Sequence, residues 1–206
     1  MPFPPRAFER IDNSSDSLFY QSPRFVTHID DDAMAAVTQL YRETLPPNGA
    51  ILDLMSSWIS HLPPEIEYSK VVGLGLNRDE LAANKRLNGF VVQNLNEKAS
   101  LPFGDHEFDG ATICVSIQYL QSPVEILREL HHVCKPDAPL VITFSNRCFP
   151  TKAVAIWQAL DDKGRVQLVE KYAREAGWTR VRGEHRTPQR HRGDPLLAVV
   201  GFNLEL

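Results

Sequence analysis

The sequence is short of several features that would direct it elsewhere. Its 206 residues hold three cysteines, Cys114, Cys134 and Cys148. An odd count with no close Cys-x-x-Cys pair excludes a disulfide framework and a zinc knuckle, so no metal is expected. Such sparse cysteine suits a reducing cytosol. No apolar run approaches the ~18 residues that span a bilayer. The opening stretch, MPFPPRAFER, carries prolines and charges where a secretory signal needs an apolar core. A cytoplasmic protein without a membrane partner is therefore expected. Charge of one sign is also scarce: the formal net charge is −4, which gives no global attraction to nucleic acid. Repeats and low-complexity tracts are absent. No Gly-x-Gly-x-x-Gly follows a strand-like run, and Gly73-Leu74-Gly75 lacks the third glycine, which argues against a nicotinamide-dependent oxidoreductase.

What remains is an ordinary globular composition, with 43% hydrophobic and 23% charged residues, long enough for one well-cored domain. Residues 1–49 read as an arm and a helix. The arm is extended to about His28, and the helix starts near Asp30 or Asp31, with Met34, Val37, Leu40 and Tyr41 at helical spacing. Leu45-Pro46-Pro47-Asn48-Gly49 ends it. Residues 50–206 then alternate. Ala50–Met55, Tyr68–Leu74, Gly89–Leu95, Gly110–Ser116 and Leu140–Ser145 are strand-like. Helices are expected briefly over Ser56–Leu62, from Asn77, from Ser122-Pro123, over Thr151–Leu160 and over Asp162–Ala176. Asn77-Arg78-Asp79-Glu80 and Ser122-Pro123-Val124-Glu125 have the spacing of capping boxes. Alternation of this kind predicts an α/β fold with a parallel sheet covered on both faces. Two closing runs, Trp178–Arg186 and Leu196–Leu204, have no helix between them and so are expected to pair antiparallel.

This order resembles the class I S-adenosylmethionine-dependent methyltransferases, specifically the methyltransferase type 11-like group. The likeness covers about three quarters of the chain, from Ala50 onward. ILDLMSS occupies the place of the family's first motif. LPFGDHEFDGATICVSIQYL resembles the stretch leading into its fourth strand. PVEILRELHHVCKPDAPLVITFS is similar to the following helix, turn and fifth strand. The resemblance implies a Rossmann-like, seven-stranded, mostly parallel sheet with an antiparallel last strand and helices on both faces. It also implies S-adenosylmethionine as cofactor and S-adenosylhomocysteine as product.

The same resemblance distributes the site residues. The first loop would cradle the amino-acid end of the cofactor, but Met55, Ser57 and Ile59 stand where the family has glycines. Ser56 and Ser57 can donate to a carboxylate. Asp53 matches the motif's acid, and capping a short helix is the alternative role for it. Gly75 stands where an acid usually holds the ribose; Asn77 is a substitute acceptor or a helix cap. Asp79 and Glu80 read as a solvated first turn. Asn94 and Leu95 occupy the adenine position, with Leu101, Pro102 and Phe103 near them, and Asn94 as a plain turn residue is the other reading. Ser116 follows the fourth strand. Gln118 would position substrate and Tyr119 would line the pocket beside the reacting methyl.

Substrate candidates fall in three places. The arm offers Tyr20, Arg24, His28 and Asp30 as a lid over the cofactor, with His28 the candidate base because imidazole titrates near neutrality. Asn146 and Arg147 follow the fifth strand, with Cys148 a packing residue. Arg180, Arg182, His185, Arg186, Arg190, His191 and Arg192 form a basic run. Arg180, Arg182 and Arg186 are expected on one side by strand alternation, either contacting an anionic substrate or protecting an edge strand. Three functions stay open: a methyltransferase acting on a small molecule, a methyltransferase-fold binding or scaffold module without activity, and an RNA- or protein-modifying methyltransferase. The sequence fixes no oligomeric state.

Overall fold

The apolar runs become strands. β1 (Ala50–Leu54), β2 (Lys70–Gly75), β3 (Gly89–Val92), β4 (Gly110–Cys114), β5 (Pro139–Phe144), β6 (Thr179–His185) and β7 (Leu197–Phe202) form one seven-stranded sheet. Its order is β3-β2-β1-β4-β5-β7-β6. β1 to β5 pair in parallel, and β7 runs antiparallel to both β5 and β6. The expected architecture is present. The computed structural model describes residues 3–187 and 193–204; Arg190, His191 and Arg192 of the basic run lie outside them.

The helices are α1 (Asp16–Phe19), α2 (Asp31–Thr44), α3 (Arg78–Ala83), α4 (Pro123–Val133), α5 (Ala155–Gln158) and α6 (Asp162–Glu175). Strand alternation sends Ile51 to one face and Leu52 and Leu54 to the other. On the first face, α2 packs Ala33, Val37, Leu40 and Tyr41 against Ile51, Val141 and Val200. On the second, α4 and α6 bury Leu127, Leu130, Val169 and Tyr172 over β1, β4 and β5. α2 starts where Asp30 Oδ1 accepts from the Ala33 N–H at 2.9 Å, and it stops before Pro46, since the residue preceding a proline disfavours helix. No helix among the described residues is long and apolar enough to cross a membrane.

Three local expectations are corrected. No helix follows β1: residues 55–69 are turn and irregular chain, so neither Ser56–Leu62 nor an Asp53 cap exists as a helical feature. Ser122 makes no side-chain capping bond to α4. In β6 a register shift between Thr179 and Arg182, with Arg180 at φ 45°, breaks the alternation. Arg180 and Arg182 therefore do not share the simple register that an unbroken strand would impose. Arg182 pairs with Glu184, and Arg186 pairs with Glu43 and Glu184. Charge on an edge strand is the role this supports.

The arm is tied down by charge. Arg10 Nη1 donates to both oxygens of Asp16, at 2.7 and 2.9 Å, with both side chains 5% exposed. Lys152 is fully buried, 3.1 Å from Asp12 Oδ2 and 3.4 Å from Asp16 Oδ1, and donates to the Ser14 carbonyl at 2.7 Å. Backbone bonds from Ala155 to Glu9 and from Ile156 to Ala7 continue the attachment. Hydrogen bonds from the Ser14 hydroxyl and backbone, then Lys152, hold the Asp12 carboxyl down to about 2. A lowered folded-state value means that this contribution is present above the unfolded value, near 4, and lost as pH falls toward 2. Pepsin is therefore expected to cut within residues 3–28 faster at pH 2.5 than at pH 4, relative to the rest of the chain. Equal relative cutting at both values would show that the Asp12 tie does not hold the arm.

Candidate active site

Order reverses between β1 and β4, whose outer neighbours are β2 and β5. Ligands in open α/β sheets bind at such a switch point, beyond the carboxyl ends of the strands. A cavity of about 610 Å³ opens there, within the 300–1,000 Å³ range of small-molecule sites. Its floor comes from the chain leaving β1, β2, β3, β4 and β5, and its roof from the arm.

The floor begins with a buried carboxylate. Asp53, 3% exposed, accepts from the hydroxyls of Ser56 (2.6 Å), Ser60 (2.7 Å) and Thr112 (3.1 Å). Burial pushes its carboxyl up, and the three hydroxyls offset only part of that rise. This network explains why the chain loops after β1 without forming a helix: Asp53 draws Ser56 and Ser60 back toward the strand end. Asp53 borders the cavity, but its hydrogen bonds to Ser56, Ser60 and Thr112 are structural ones that shape the loop.

Met55 keeps the backbone of a glycine without being one. Its φ is 57°, the left-handed region that costs a non-glycine residue about 1–2 kcal/mol. His61 (φ 53°) and Val115 (φ 49°) share this conformation, and all three line the cavity. A β-branched residue there is a genuine outlier, and backbone strain of this kind clusters at functional sites. Gly75 lines the cavity as well. The Ser56 N–H donates to the Leu74 carbonyl at 2.8 Å, which lays the first loop across the end of β2. A Cβ built on Gly75 would overlap the Ser56 carbonyl oxygen. Glycine stands there because a neighbouring backbone occupies the side-chain space.

Asn77 lines the cavity but is a cap. Its Oδ1 accepts from the N–H groups of Asp79 and Glu80, and its Nδ2 donates to the Tyr20 and Gln21 carbonyls. Glu80, expected in a solvated turn, is buried and borders the cavity. It accepts from the Arg24 N–H at 2.7 Å and from the Ser57 hydroxyl at 2.6 Å, joining the arm, the first loop and α3. Asn94 uses Oδ1 to accept from the Asn96 N–H and Nδ2 to donate to Glu97, the pattern of a turn residue. Asn94 and Leu95 nevertheless line the cavity.

After β4, Ser116 lines the cavity with a buried hydroxyl that has no hydrogen-bond partner among the described residues. A tight turn over Ile117–Tyr119 then separates two residues expected together. Tyr119 faces the cavity, its hydroxyl accepting from the Phe149 N–H at 2.9 Å. Gln118 turns inward, 1% exposed, and donates to the Val115 carbonyl; it does not line the cavity, so its expected substrate contact is corrected. Asn146 is exposed and also outside the lining. Arg147 reaches the rim and donates to Asp194 Oδ1 at 2.7 Å, with its side chain 65% exposed.

The roof carries Tyr20, Arg24 and His28. His28 meets the Phe149 ring edge-on at 5.5 Å, and partial burial lowers its pKa, so the imidazole is neutral at pH 7. Burial pushes the Tyr20 hydroxyl up and Cys114, on the floor, up to about 12, so neither is ionised near neutrality. Burial also raises Cys148. His61 is a lining residue that sequence reasoning missed; burial lowers its imidazole to about 4. Its only sequence signal was its place in the connection after the first strand. Among the described residues no His, Cys, Asp and Glu cluster is arranged to hold a metal.

Comparison with known proteins agrees with this geometry. Residues 55–142 match the methyltransferase domain family. A curated bifunctional biotin biosynthesis protein from Teredinibacter turnerae is 24% identical over 116 residues, 53% of this chain and 20% of that protein. The match thus spans about a fifth of that relative's length. A chain in the complex of the Haloferax volcanii Trm112 methyltransferase activator with a methyltransferase superposes with a TM-score of 0.64 at 15% identity, covering 85% of this chain and 92% of that one. An S-adenosylmethionine-dependent methyltransferase from Aquifex aeolicus superposes at 0.60 and 17% identity, covering 93% and 100%. At such identities the superpositions speak for the fold. The family match covers less than half of the chain, and together with the topology it gives the chain the fold of the class I S-adenosylmethionine-dependent methyltransferases, with a methyltransferase-domain match over residues 55–142. The family match starts at Met55, so β1 and Asp53 lie outside it.

Proposed function

We propose that the protein binds S-adenosylmethionine in this cavity and transfers its methyl group to a small molecule enclosed beside it. One observation carries the reading: Tyr20, Arg24 and His28 of the protein's own arm line the switch-point cavity together with the strand ends, and its volume of about 610 Å³ suits small ligands. The residues fit the cofactor. The Ser116 hydroxyl and Arg24 Nη1 are buried without hydrogen-bond partners among the described residues, and both residues line the cavity. Asn94 and Leu95 stand where the adenine is held in the family.

When bound, the cofactor supplies a methyl group already activated on a sulfonium, so the protein chiefly aligns the acceptor and excludes water. Tyr119 and Phe149, stacked with centroids 6.0 Å apart, form an apolar wall. Tyr20 closes the roof. His28, neutral at pH 7, accepts a proton from an acceptor that must lose one.

A non-catalytic binding module is the second reading, and the first loop favours it, since Met55, Ser57 and Ile59 stand where the family has glycines. Modification of RNA has less support, because Arg182 and Arg186 are already paired with acids. The test is incubation with methyl-labelled S-adenosylmethionine and a size-fractionated cell extract. Label is expected in the low-mass fraction. Label in protein or RNA would overturn the small-molecule assignment, and label nowhere, with binding intact, would favour the binding module.

A further inference from the structure

Arg24 is a cation whose Nη1 has no hydrogen-bonded counter-charge among the described residues. Its guanidinium carbon lies 4.6 Å from the Phe19 ring centroid, 5.2 Å from Tyr20 and 5.3 Å from Phe149. Nη2 donates to the Phe19 carbonyl at 2.8 Å. Nη1 is buried and has no hydrogen-bond partner among the described residues. Glu80, which the Arg24 backbone touches, accepts from that backbone N–H and from Ser57 and not from the guanidinium. Buried charges are normally paired, because desolvation without a partner is expensive. The aromatic faces compensate in part, but they leave Nη1 without an acceptor among the described residues.

The first loop shows the complementary gap. Backbone N–H groups at a helix start are a common anion site. Here no helix follows β1, and the Ser56 N–H is already bonded to Leu74. The Ser56 N–H is therefore not available to hold the anionic end of an amino acid. The Arg24 backbone is tied to this same loop through Glu80 and Ser57, and Arg24 lines the same cavity.

We propose that Arg24, carried by the arm, binds the α-carboxylate of S-adenosylmethionine in place of the first loop. The inference rests on the cofactor reading above. It makes the arm part of the binding site, since the cofactor's carboxylate then bonds to the roof and not to the floor.

The experiment compares two ligands by calorimetry, S-adenosylhomocysteine and 5′-methylthioadenosine. The second keeps the adenosine and thioether but lacks the amino-acid portion. Wild-type protein is expected to prefer S-adenosylhomocysteine by about tenfold or more, the scale of a charge-assisted pair. Arg24→Gln should lose that preference while binding 5′-methylthioadenosine as the wild type does. Arg24→Lys should keep part of it, because the charge remains and the fork geometry does not. Thermal melting of each variant checks the fold. An unchanged preference in Arg24→Gln overturns the proposal and assigns the carboxylate to another donor. Equal loss of both ligands also overturns it, by showing that Arg24 only supports the roof. Failure of the wild type to bind either ligand would instead refute the cofactor reading itself.

Discussion

Gly75→Asp, the substitution that restores the family's acid at the end of β2, is expected to destabilise the protein by about 3 kcal/mol, the upper part of the usual overpacking range. It is also expected to abolish cofactor binding. The reason lies in the route of the first loop. Ser56 donates its N–H to Leu74, and its carbonyl oxygen lies where a side chain on Gly75 would begin. A carboxylate placed there must displace backbone, and the displaced segment is fixed by the Ser56 and Ser60 bonds to Asp53. Movement would thus unsettle a buried carboxylate as well. Denaturant unfolding and calorimetry measure the two effects. A variant of wild-type stability with tighter cofactor binding would show that the loop yields freely and that Gly75 is merely a missing acid.

Lys152→Met should have a comparable or larger effect, about 3–5 kcal/mol, because it removes one partner from a buried charge cluster. Lys152 is fully buried and faces Asp12, Asp16 and Ser14. Without it Asp16 keeps Arg10 and Asn96, but the turn over residues 12–14 loses its anchor. The same cluster holds the arm that roofs the cavity, so ligand binding should weaken along with stability. Limited proteolysis would then show the arm cleaved before the sheet. A variant that melts like the wild type and binds ligand normally would mean that aromatic packing of Phe3 and Phe8 on Tyr172 suffices to hold the arm.

The sheet was legible because apolar periodicity and short connections are local signals. Pro46, the Asp30 cap and the acidic first turn placed α2 to within a residue. The missing helix after β1 was not legible. Only Ser56–Leu62 separates the strand from Pro63-Pro64, too few residues to offset helix nucleation, and the bonds from Ser56, Ser60 and Thr112 to Asp53 decide the loop's path. Thr112 is 59 residues away in sequence.

Site residues divide the same way. Met55, Ser116, Asn94 and Tyr119 border the cavity because position after a strand fixes them. Glu80 was misread as solvated because its burial depends on Arg24, 56 residues earlier, and on Ser57. Gln118 was misread because the tight turn it occupies rotates it away from its neighbour Tyr119. Lys152 gave no signal at all, since its partners lie about 140 residues upstream.

The most direct measurement is calorimetric titration of the purified protein with S-adenosylmethionine and S-adenosylhomocysteine. Saturable one-to-one binding in the micromolar range is the result this account expects, with the arm and the altered first loop together forming the site. No binding at millimolar ligand, in protein shown to be folded by its melting transition, would contradict it.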